Sequence, residues 1–227
     1  MHKVVMPDWA LERVMMRRGK PYAFDQLDPK RTALVVVDLQ NGFMAPGQPE
    51  VPVEREIVDN VNTLAAAVRA GGGLVVFTKH TFDGDRLVGL ARSFRHRRLG
   101  LAHGGGVHLW PLWPPTGPGL DVRPEDIAIQ KYRFSALVQG SSNLDAILRR
   151  RDIDTIIVTG TVTNVCCEST TRDAMMMNYK CVMVSDANAA LSDEEHNATL
   201  VSVMARFSDV RSTAEVVALL GQARNTP

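Results

Sequence analysis

The chain has 227 residues, of which 45% are apolar and 22% are charged, proportions that are ordinary for a globular protein with one full-sized hydrophobic core. Its net charge of +1 at pH 7 provides no global field that would recruit nucleic acid or an anionic membrane. The longest apolar runs fall far short of a bilayer span, and the N-terminus shows no signal sequence, so we expect a cytoplasmic protein without membrane contact. Three cysteines are too few for a disulfide framework in a chain of this length, and we expect reduced thiols.

Strand-like apolar segments alternate with helix-length amphipathic segments along most of the chain. This alternation predicts parallel strands that are joined by helical crossovers. The predicted strands cover residues 33–37, 74–78, 127–129, 154–159, 181–185 and 208–210. The predicted helices cover residues 57–68, 144–151 and 193–206, and two more begin near residues 164 and 213. We therefore predict a three-layer α/β/α fold in which a central, mostly parallel, Rossmann-like sheet of six strands is covered on both faces.

Two segments lack a clear periodicity. We interpret residues 1–30 as an N-terminal arm that packs on a neighbouring subunit, which leaves a single domain over residues 31–227. Residues 81–123 are rich in glycine and proline and are too long for an ordinary connection, so we interpret them as a substrate lid or a subunit contact. The arm, together with Trp110 and Trp113, which we expect to be exposed, predicts a homodimer or homotetramer.

Three reactive side chains follow three different predicted strands. Asp38 follows the first strand, Lys131 the third and Cys166 the fourth. In an open parallel sheet, chemistry gathers beyond the carboxyl ends of the strands. We therefore expect a carboxylate, an ammonium and a thiol to meet at one edge, where they would assemble a base, a cation and a nucleophile.

Each of these residues also has an ordinary structural interpretation. Asp38 could only cap a turn, Lys131 could be a solvated charge, and Cys166 could be a buried, inert cysteine. Cys166, however, stands where a strand passes into a helix that is predicted to begin near Asn164. Unpaired N–H groups and the helix dipole favour a thiolate at a helix start, so we expect the pKa of Cys166 to lie below that of a free thiol.

Three separated segments resemble the signature segments of the isochorismatase-like cysteine hydrolases. They are VVVDLQNGF at residues 35–43, KYRFSAL at residues 131–137 and TGTVTNVCCESTTRDA at residues 159–174. The likeness spans about residues 32–220 and is strongest to amidohydrolases that act on ureido or carbamoyl compounds, such as ureidoacrylate amidohydrolase and biuret hydrolase. It implies the isochorismatase-like hydrolase fold and a cysteine-dependent amidohydrolase. Such an enzyme cleaves an amide or ureide C–N bond through a thioester and releases ammonia or an amine.

The resemblance also implies roles for particular residues. The catalytic triad would consist of Asp38, Lys131 and Cys166. A cis peptide bond would precede Val162, and the N–H groups of Val162 and Cys166 would form the oxyanion hole. The chain departs from the family pattern around the pocket, where Tyr132 stands in place of a common proline. Such departures leave the triad intact and bear on the choice of substrate.

The expected substrate is a small-molecule amide or ureide. We expect Gln40, Asn41, Phe43 and Tyr132 to contact it. Gln40 and Asn41 could instead close the turn after the first strand, and Phe43 could be a core aromatic. The basic stretch at residues 92–98 could bind a substrate carboxylate or form a solvated face.

We predict no metal and no cofactor. Residues 41–56 contain no histidine, the nearest pair of histidines in the sequence is His103 and His108, and no G-x-G-x-x-G motif follows the first strand. Two other functions stay open. One is an isochorismatase-type vinyl ether hydrolase, which needs general acid catalysis and no thiol. The other is a non-catalytic binding or redox module with Cys166 and Cys167 as sensors.

Overall fold

A run of buried residues, Thr32–Val37, forms the first strand, β1. Its β-branched side chains favour the extended, pleated conformation, and a strand that is buried at every position needs a covering layer on each face of its sheet. The structure is a computed structural model that describes residues 1–40, 51, 53–81 and 119–223. Within this part of the chain, β1 lies in the middle of the sheet.

The sheet has six strands in the order β3-β2-β1-β4-β5-β6, and every neighbouring pair is parallel. The strands after β1 are Leu74–His80 (β2), Ile127–Lys131 (β3), Thr155–Thr161 (β4), Lys180–Ala189 (β5) and Asp209–Arg211 (β6). The strand order reverses direction between β1 and β4, so the crevice beyond their carboxyl ends is the expected place for a ligand. The predicted three-layer fold is confirmed.

Helices cover both faces of this sheet. They are Asp8–Arg18 (α1), Val58–Ala70 (α2), Leu144–Arg150 (α3), Glu168–Met176 (α4), Asp193–Arg206 (α5) and Thr213–Ala223 (α6). One hydrophobic cluster joins the sheet to α2 and α6 and includes Leu34 and Leu64. A second cluster, on the opposite face, joins the sheet to α3, α4 and α5 and includes Val35, Leu148 and Leu200.

Several predicted boundaries differ from the observed ones. The strand predicted over residues 181–185 extends to Ala189, and its register against β4 shifts between Val158 and Gly160. Gly160 has a φ of 115°, and a Cβ at this position would lie 2.0 Å from the carbonyl oxygen of Val37. Only glycine allows β1 and β4 to approach this closely directly before the site.

The N-terminal segment contains a helix that the sequence analysis did not predict. Helix α1 packs Ala10 and Val14 against Met204 of α5 in the same chain. Ahead of α1, the N–H of Val5 donates to the Asn197 side chain at 2.8 Å. Residues of the N-terminal segment therefore pack on their own chain. The expected contact of residues 1–30 with a neighbouring subunit stays a prediction. The helix was missed because its buried stripe consists of small residues, whereas its large apolar residues lie outside that stripe.

The proposed lid over residues 81–123 lies outside the described residues except at its ends, and so do Trp110 and Trp113. Within the described ranges, no helix is long and apolar enough to cross a membrane.

Candidate active site

Asp38 is the first residue beyond β1 and turns the chain sharply. Its φ of 52° lies in the left-handed region, where aspartate is one of the better tolerated residues. The backbone N–H of Asp38 donates to the carbonyl oxygen of Thr78 at 3.2 Å. The Thr78 hydroxyl in turn donates to Oδ1 of Asp38 at 2.8 Å. These bonds hold a fully buried carboxylate in one orientation, in which Oδ2 faces Lys131.

Lys131 is the last residue of β3, and its side chain is fully buried. Its Nζ lies 2.7 Å from Oδ2 of Asp38 and 3.4 Å from Sγ of Cys166. The contact with Asp38 is an ion pair whose angles do not fit a well-aligned hydrogen bond. Nζ also donates to the carbonyl oxygen of Arg133 at 3.0 Å. The structure thus brings together the three side chains that the sequence analysis placed at one rim.

Cys166 lies in a π-helical turn, Thr163–Cys167, that connects β4 to α4. The peptide bond between Thr161 and Val162 is cis. The carbonyl oxygen of Val162 accepts the N–H groups of Val165 at 3.0 Å and Cys167 at 3.2 Å. The helix expected to begin near Asn164 therefore begins as a wider turn. The role of the Val162 and Cys166 N–H groups as an oxyanion hole stays a prediction.

The segment after Lys131 is joined to the cysteine helix. The N–H of Tyr132 donates to the carbonyl oxygen of Ser141 at 3.0 Å, which closes this segment on itself. The N–H of Ala136 donates to the hydroxyl of Thr170 on α4 at 3.1 Å. The bond between the Ala136 backbone and the Thr170 side chain therefore links the segment after Lys131 to the helix that follows Cys166.

The electrostatics of Cys166 differ from the expectation. Burial and, after it, the negative charge of Asp38 raise the pKa of Cys166 to about 12, although Lys131 opposes both effects. We expected a pKa below that of a free thiol, and this expectation was wrong because Cys166 is only 6% exposed and its thiol lies close to the carboxylate of Asp38. In the resting protein the side chain is a neutral thiol, so it needs a base before it can attack a substrate.

Lys131 stays charged despite its burial. Burial alone would lower the pKa of Lys131, but the negative charge of Asp38 and the contacts of Nζ with Asp38 and Cys166 outweigh it, and the pKa is raised. A charge-stabilising partner is necessary here because an isolated ammonium in an apolar interior would lose its proton.

His80 is a further member of the cluster, which the sequence analysis did not single out. Its Nδ1 lies 2.9 Å from Nζ of Lys131, and its ring stacks on Phe134 with 5.9 Å between centroids. Burial and, after it, the charge of Lys131 lower the pKa of His80 to about 4. The ring is therefore neutral, and Nδ1 accepts a hydrogen bond from the ammonium of Lys131. His80 is the last residue of β2. The argument that side chains at the carboxyl ends of parallel strands meet at one edge therefore applied to His80 as well as to Asp38 and Lys131.

The four residues that were expected to contact substrate have different surroundings. Gln40 binds the backbone of His80 from both ends of its amide: Oε1 accepts from the N–H at 2.9 Å and Nε2 donates to the carbonyl oxygen at 3.4 Å. Both polar groups of the Gln40 amide therefore bind the end of β2, and a contact of Gln40 with substrate stays a prediction. The Tyr132 hydroxyl donates to the side-chain oxygen of Gln130 at 2.8 Å. Tyr132 also lines a surface hollow at the edge strand β3, and none of the three triad residues lines this hollow. Asn41 and Phe43 lie outside the described residues.

Glu54 is a second buried acid near this cluster. It is fully buried, and neither of its carboxyl oxygens has a hydrogen-bond partner within the described part of the chain. Burial raises the pKa of Glu54 to about 9, and the Asp38 charge contributes in the same direction. Glu54 is therefore a neutral carboxylic acid at pH 7. Sequence analysis gave no sign of it, because Glu54 lies in a polar stretch before α2 that is typical of a solvated surface.

One cluster among the described residues has the composition of a metal site. Ligand atoms of Asp38, His80 and Cys166 lie within 4.8 Å of one another. The ammonium of Lys131, however, contacts all three of these side chains, and a metal cation there would be repelled by it at close range. These residues do not fit a metal ion. His103 and His108, the pair weighed in the sequence, lie outside the described residues.

Comparison with known proteins identifies the class. The fold and site define a parallel α/β protein with a buried thiol, ammonium and carboxylate beyond its strand ends, and residues 32–215 match the family described as "Isochorismatase domain". The chain belongs to the isochorismatase family, and the assignment to isochorismatase-like cysteine hydrolases is confirmed.

Relatives cover nearly the whole chain. The uncharacterized isochorismatase family protein YwoC of Bacillus subtilis (strain 168) is 33% identical over 83% of this chain and 94% of its own length. The ureidoacrylate amidohydrolase RutB of Klebsiella pneumoniae is 31% identical over 86% of this chain and 93% of its own length. The crystal structure of a cysteine hydrolase from Pseudomonas syringae pv. phaseolicola superimposes with a TM-score of 0.74 at 32% identity, covering 90% of this chain and 99% of that one. The family and these relatives support hydrolase activity.

Proposed function

We propose that this protein is a cysteine-dependent amidohydrolase that cleaves the C–N bond of a small carbamoyl or ureido compound through a thioester intermediate. The observation that carries the proposal is the position of one ammonium, that of Lys131, in contact with both a carboxylate and a thiol in a buried cluster. The similarity to RutB, whose name gives ureidoacrylate as its substrate, supports the substrate class.

The first half-reaction forms the thioester. Asp38, whose carboxylate lies within 4.8 Å of Sγ, takes the proton of the Cys166 thiol, and the thiolate attacks the carbonyl carbon of the substrate. Lys131 stabilises the thiolate as it forms. The backbone N–H groups of Val162 and Cys166 hold the developing oxyanion, each worth about 3–4 kcal/mol in comparable enzymes. Collapse of this intermediate breaks the C–N bond, and the proton on Asp38 passes to the leaving nitrogen, which departs as ammonia or an amine.

The second half-reaction restores the thiol. Asp38 removes a proton from water, and the resulting hydroxide adds to the thioester carbonyl. The C–S bond breaks, and the proton on Asp38 returns to the sulfur of Cys166. Vinyl ether hydrolysis requires no such nucleophile, so the contact between Lys131 and Cys166 favours the amidase. Cys167 is fully buried and its pKa is raised well above the usual value by burial, which argues against a pair of sensor thiols.

A panel of carbamoyl, ureido and simple amides, scored by ammonia release, tests the proposal. The wild-type protein should turn over at least one ureido or carbamoyl compound, and Cys166→Ala should abolish that turnover while the far-ultraviolet circular dichroism spectrum stays unchanged. Cys181→Ala is the matched control, because Cys181 is equally buried but lies near the opposite end of the sheet, on β5. Full activity in the Cys166→Ala variant would refute the proposal.

A further inference from the structure

The turn Thr163–Cys167, which we call the nucleophile turn, is bonded to neighbouring elements on both sides of Val162. Val162 lies directly before this turn, and the residues on either side of it are threonines that are fully buried. The hydroxyl of Thr161 donates to the carbonyl oxygen of Ala189, at the end of β5, at 3.4 Å. The second threonine, the first residue of the turn, is bonded to α5. The backbone around Val162 is therefore anchored at two places.

The anchor on α5 is a fully buried histidine, His196, whose hydrogen bonds define its tautomer. Its Nε2 lies 2.9 Å from the carbonyl oxygen of Ser185. Because a carbonyl oxygen can only accept, Nε2 carries the proton. Nδ1 is therefore an acceptor, and the hydroxyl of Thr163 donates to it at 2.9 Å. Burial lowers the pKa of His196 to about 4, so the ring keeps this neutral form at pH 7.

A second histidine, His2, covers the first. Its ring stacks on that of His196 with 4.4 Å between centroids, and its side chain is only 4% exposed. Nε2 of His2 accepts the N–H of Ala190 at 2.9 Å, and Nδ1 donates to the carboxylate of Asp193 at 2.8 Å. Ala190 directly follows Ala189 in the chain. His2 is therefore in contact with both places at which the backbone around Val162 is anchored.

We propose that His2 and His196 are positioning residues that hold the nucleophile turn, and with it the N–H groups of Val162 and Cys166, in the geometry that hydrolysis requires. The inference rests on the proposed function, in which these N–H groups stabilise the oxyanion. His196 acts through Thr163, and His2 acts through His196, so both act at a distance from the reacting atoms. Displaced donors weaken the binding of the transition state more than that of the substrate, so the effect should fall on kcat.

Variants of Thr163 test the link between the turn and His196. Thr163→Val keeps the shape of the side chain but removes the hydroxyl, so we expect kcat to fall by about tenfold to a hundredfold while KM changes by less than about threefold. Thr163→Ser retains the hydroxyl and should recover most of kcat. Thr155→Val is the matched control, because Thr155 is an equally buried threonine at the other end of β4, and it should keep the wild-type kcat. A wild-type kcat in Thr163→Val, or equal losses in the valine and serine variants, would overturn the proposal.

Variants of His2 test the link between the N-terminal segment and the turn. His2→Ala uncovers His196, and we expect kcat to fall by about threefold to tenfold. Val4→Ala, which shortens a 40% exposed side chain of the same segment, is the control and should keep the wild-type kcat. Because both sites act through His196, the double variant His2→Ala/Thr163→Val should lose less than the product of the two single losses. A wild-type kcat in His2→Ala, or losses that multiply in the double variant, would contradict the shared path.

Hydrogen–deuterium exchange provides a readout that needs no substrate. The N–H groups of Val165 and Cys167 donate to the carbonyl oxygen of Val162, and a looser turn exposes them to solvent more often. Peptides that cover residues 163–167 should therefore exchange faster in His2→Ala and Thr163→Val than in the wild-type protein, whereas peptides from β1 should not. If the wild-type protein turns over no amide, the proposed function fails, and the exchange rates still test the positioning role. Unchanged exchange of the turn in both variants would overturn that role.

Discussion

The ammonium of Lys131 lies 2.7 Å from the carboxylate of Asp38, and both side chains are fully buried. Removal of two charges from water costs several kcal/mol per ion, and their attraction repays this only when further hydrogen bonds satisfy each group. Here Thr78 bonds the carboxylate and the Arg133 carbonyl bonds the ammonium. The pair therefore presents a base and a cation beside a thiol that burial keeps protonated.

The first prediction concerns the free energy of unfolding. Lys131→Met leaves Asp38 as an uncompensated buried charge, and we expect urea denaturation to give a loss of about 3–5 kcal/mol. The double variant Asp38→Asn/Lys131→Met removes both charges and should recover at least half of that loss. Lys180→Met is the control, because Lys180 pairs with Asp154 at 3.3 Å but is 44% exposed, and its loss should stay below about 1 kcal/mol. Equal losses from the two lysine variants would contradict this account.

The second prediction concerns the thiol. Because the pKa of Cys166 is raised to about 12, the resting side chain should react with iodoacetamide at least about a hundredfold more slowly than a free thiol at pH 8. Peptide mapping by mass spectrometry measures the rate at each cysteine. Asp38→Asn removes a charge that raises the pKa, so it should speed alkylation of Cys166 even though it slows catalysis by about 10²–10⁴. Alkylation at the rate of a free thiol would show that a thiolate already exists in the resting protein.

The third prediction concerns His80 as a positioning residue for Lys131. His80→Asn retains an acceptor close to the place of Nδ1, whereas His80→Ala removes it. We therefore expect kcat to fall by roughly tenfold to a hundredfold in the alanine variant and to recover largely in the asparagine variant. Loss of activity in both variants, or in neither, would contradict a positioning role.

The pH dependence of stability provides an independent readout of His80. Its pKa is lowered from 6.5 in the unfolded chain to about 4 in the folded protein. Between these values the unfolded state binds the proton and the folded state does not, so stability falls as the pH falls from 6.5 towards 4. The slope from this one group is at most about 1.4 kcal/mol per pH unit. His80→Asn should reduce the slope, and the part that remains should include His196, whose pKa is also lowered by burial to about 4.

The fourth prediction concerns Glu54, whose pKa is shifted in the opposite direction to that of His80. Its pKa is raised from 4.5 to about 9, so in this range the folded state holds a proton that the unfolded state releases. Stability therefore falls as the pH rises from 4.5 towards 9. Glu54→Gln keeps the shape without the titration, and its free energy of unfolding relative to wild type should grow by up to about 1.4 kcal/mol per pH unit across this window. A parallel pH dependence in the two proteins would contradict the buried acid.

The sequence predicted the sheet and the meeting of three side chains because both follow from one-dimensional patterns. Apolar runs such as residues 33–37 indicate buried parallel strands, and strand ends share an edge. Helix α1 was missed because its buried stripe of Ala10 and Val14 is too small to dominate the periodicity. The direction of the Cys166 pKa shift was wrong because burial and the distance to Asp38 are three-dimensional quantities that no local spacing reveals.

The most direct measurement of the central claim is the mass of the protein during turnover. The ammonia-releasing substrate that gives the highest rate should be mixed with the protein, quenched with acid and examined by intact-protein mass spectrometry and peptide mapping. We predict an acyl adduct on the peptide that contains Cys166 in the wild-type protein and none in the Cys166→Ala variant. Continued ammonia release by the Cys166→Ala variant without any adduct would contradict a nucleophilic role for this thiol.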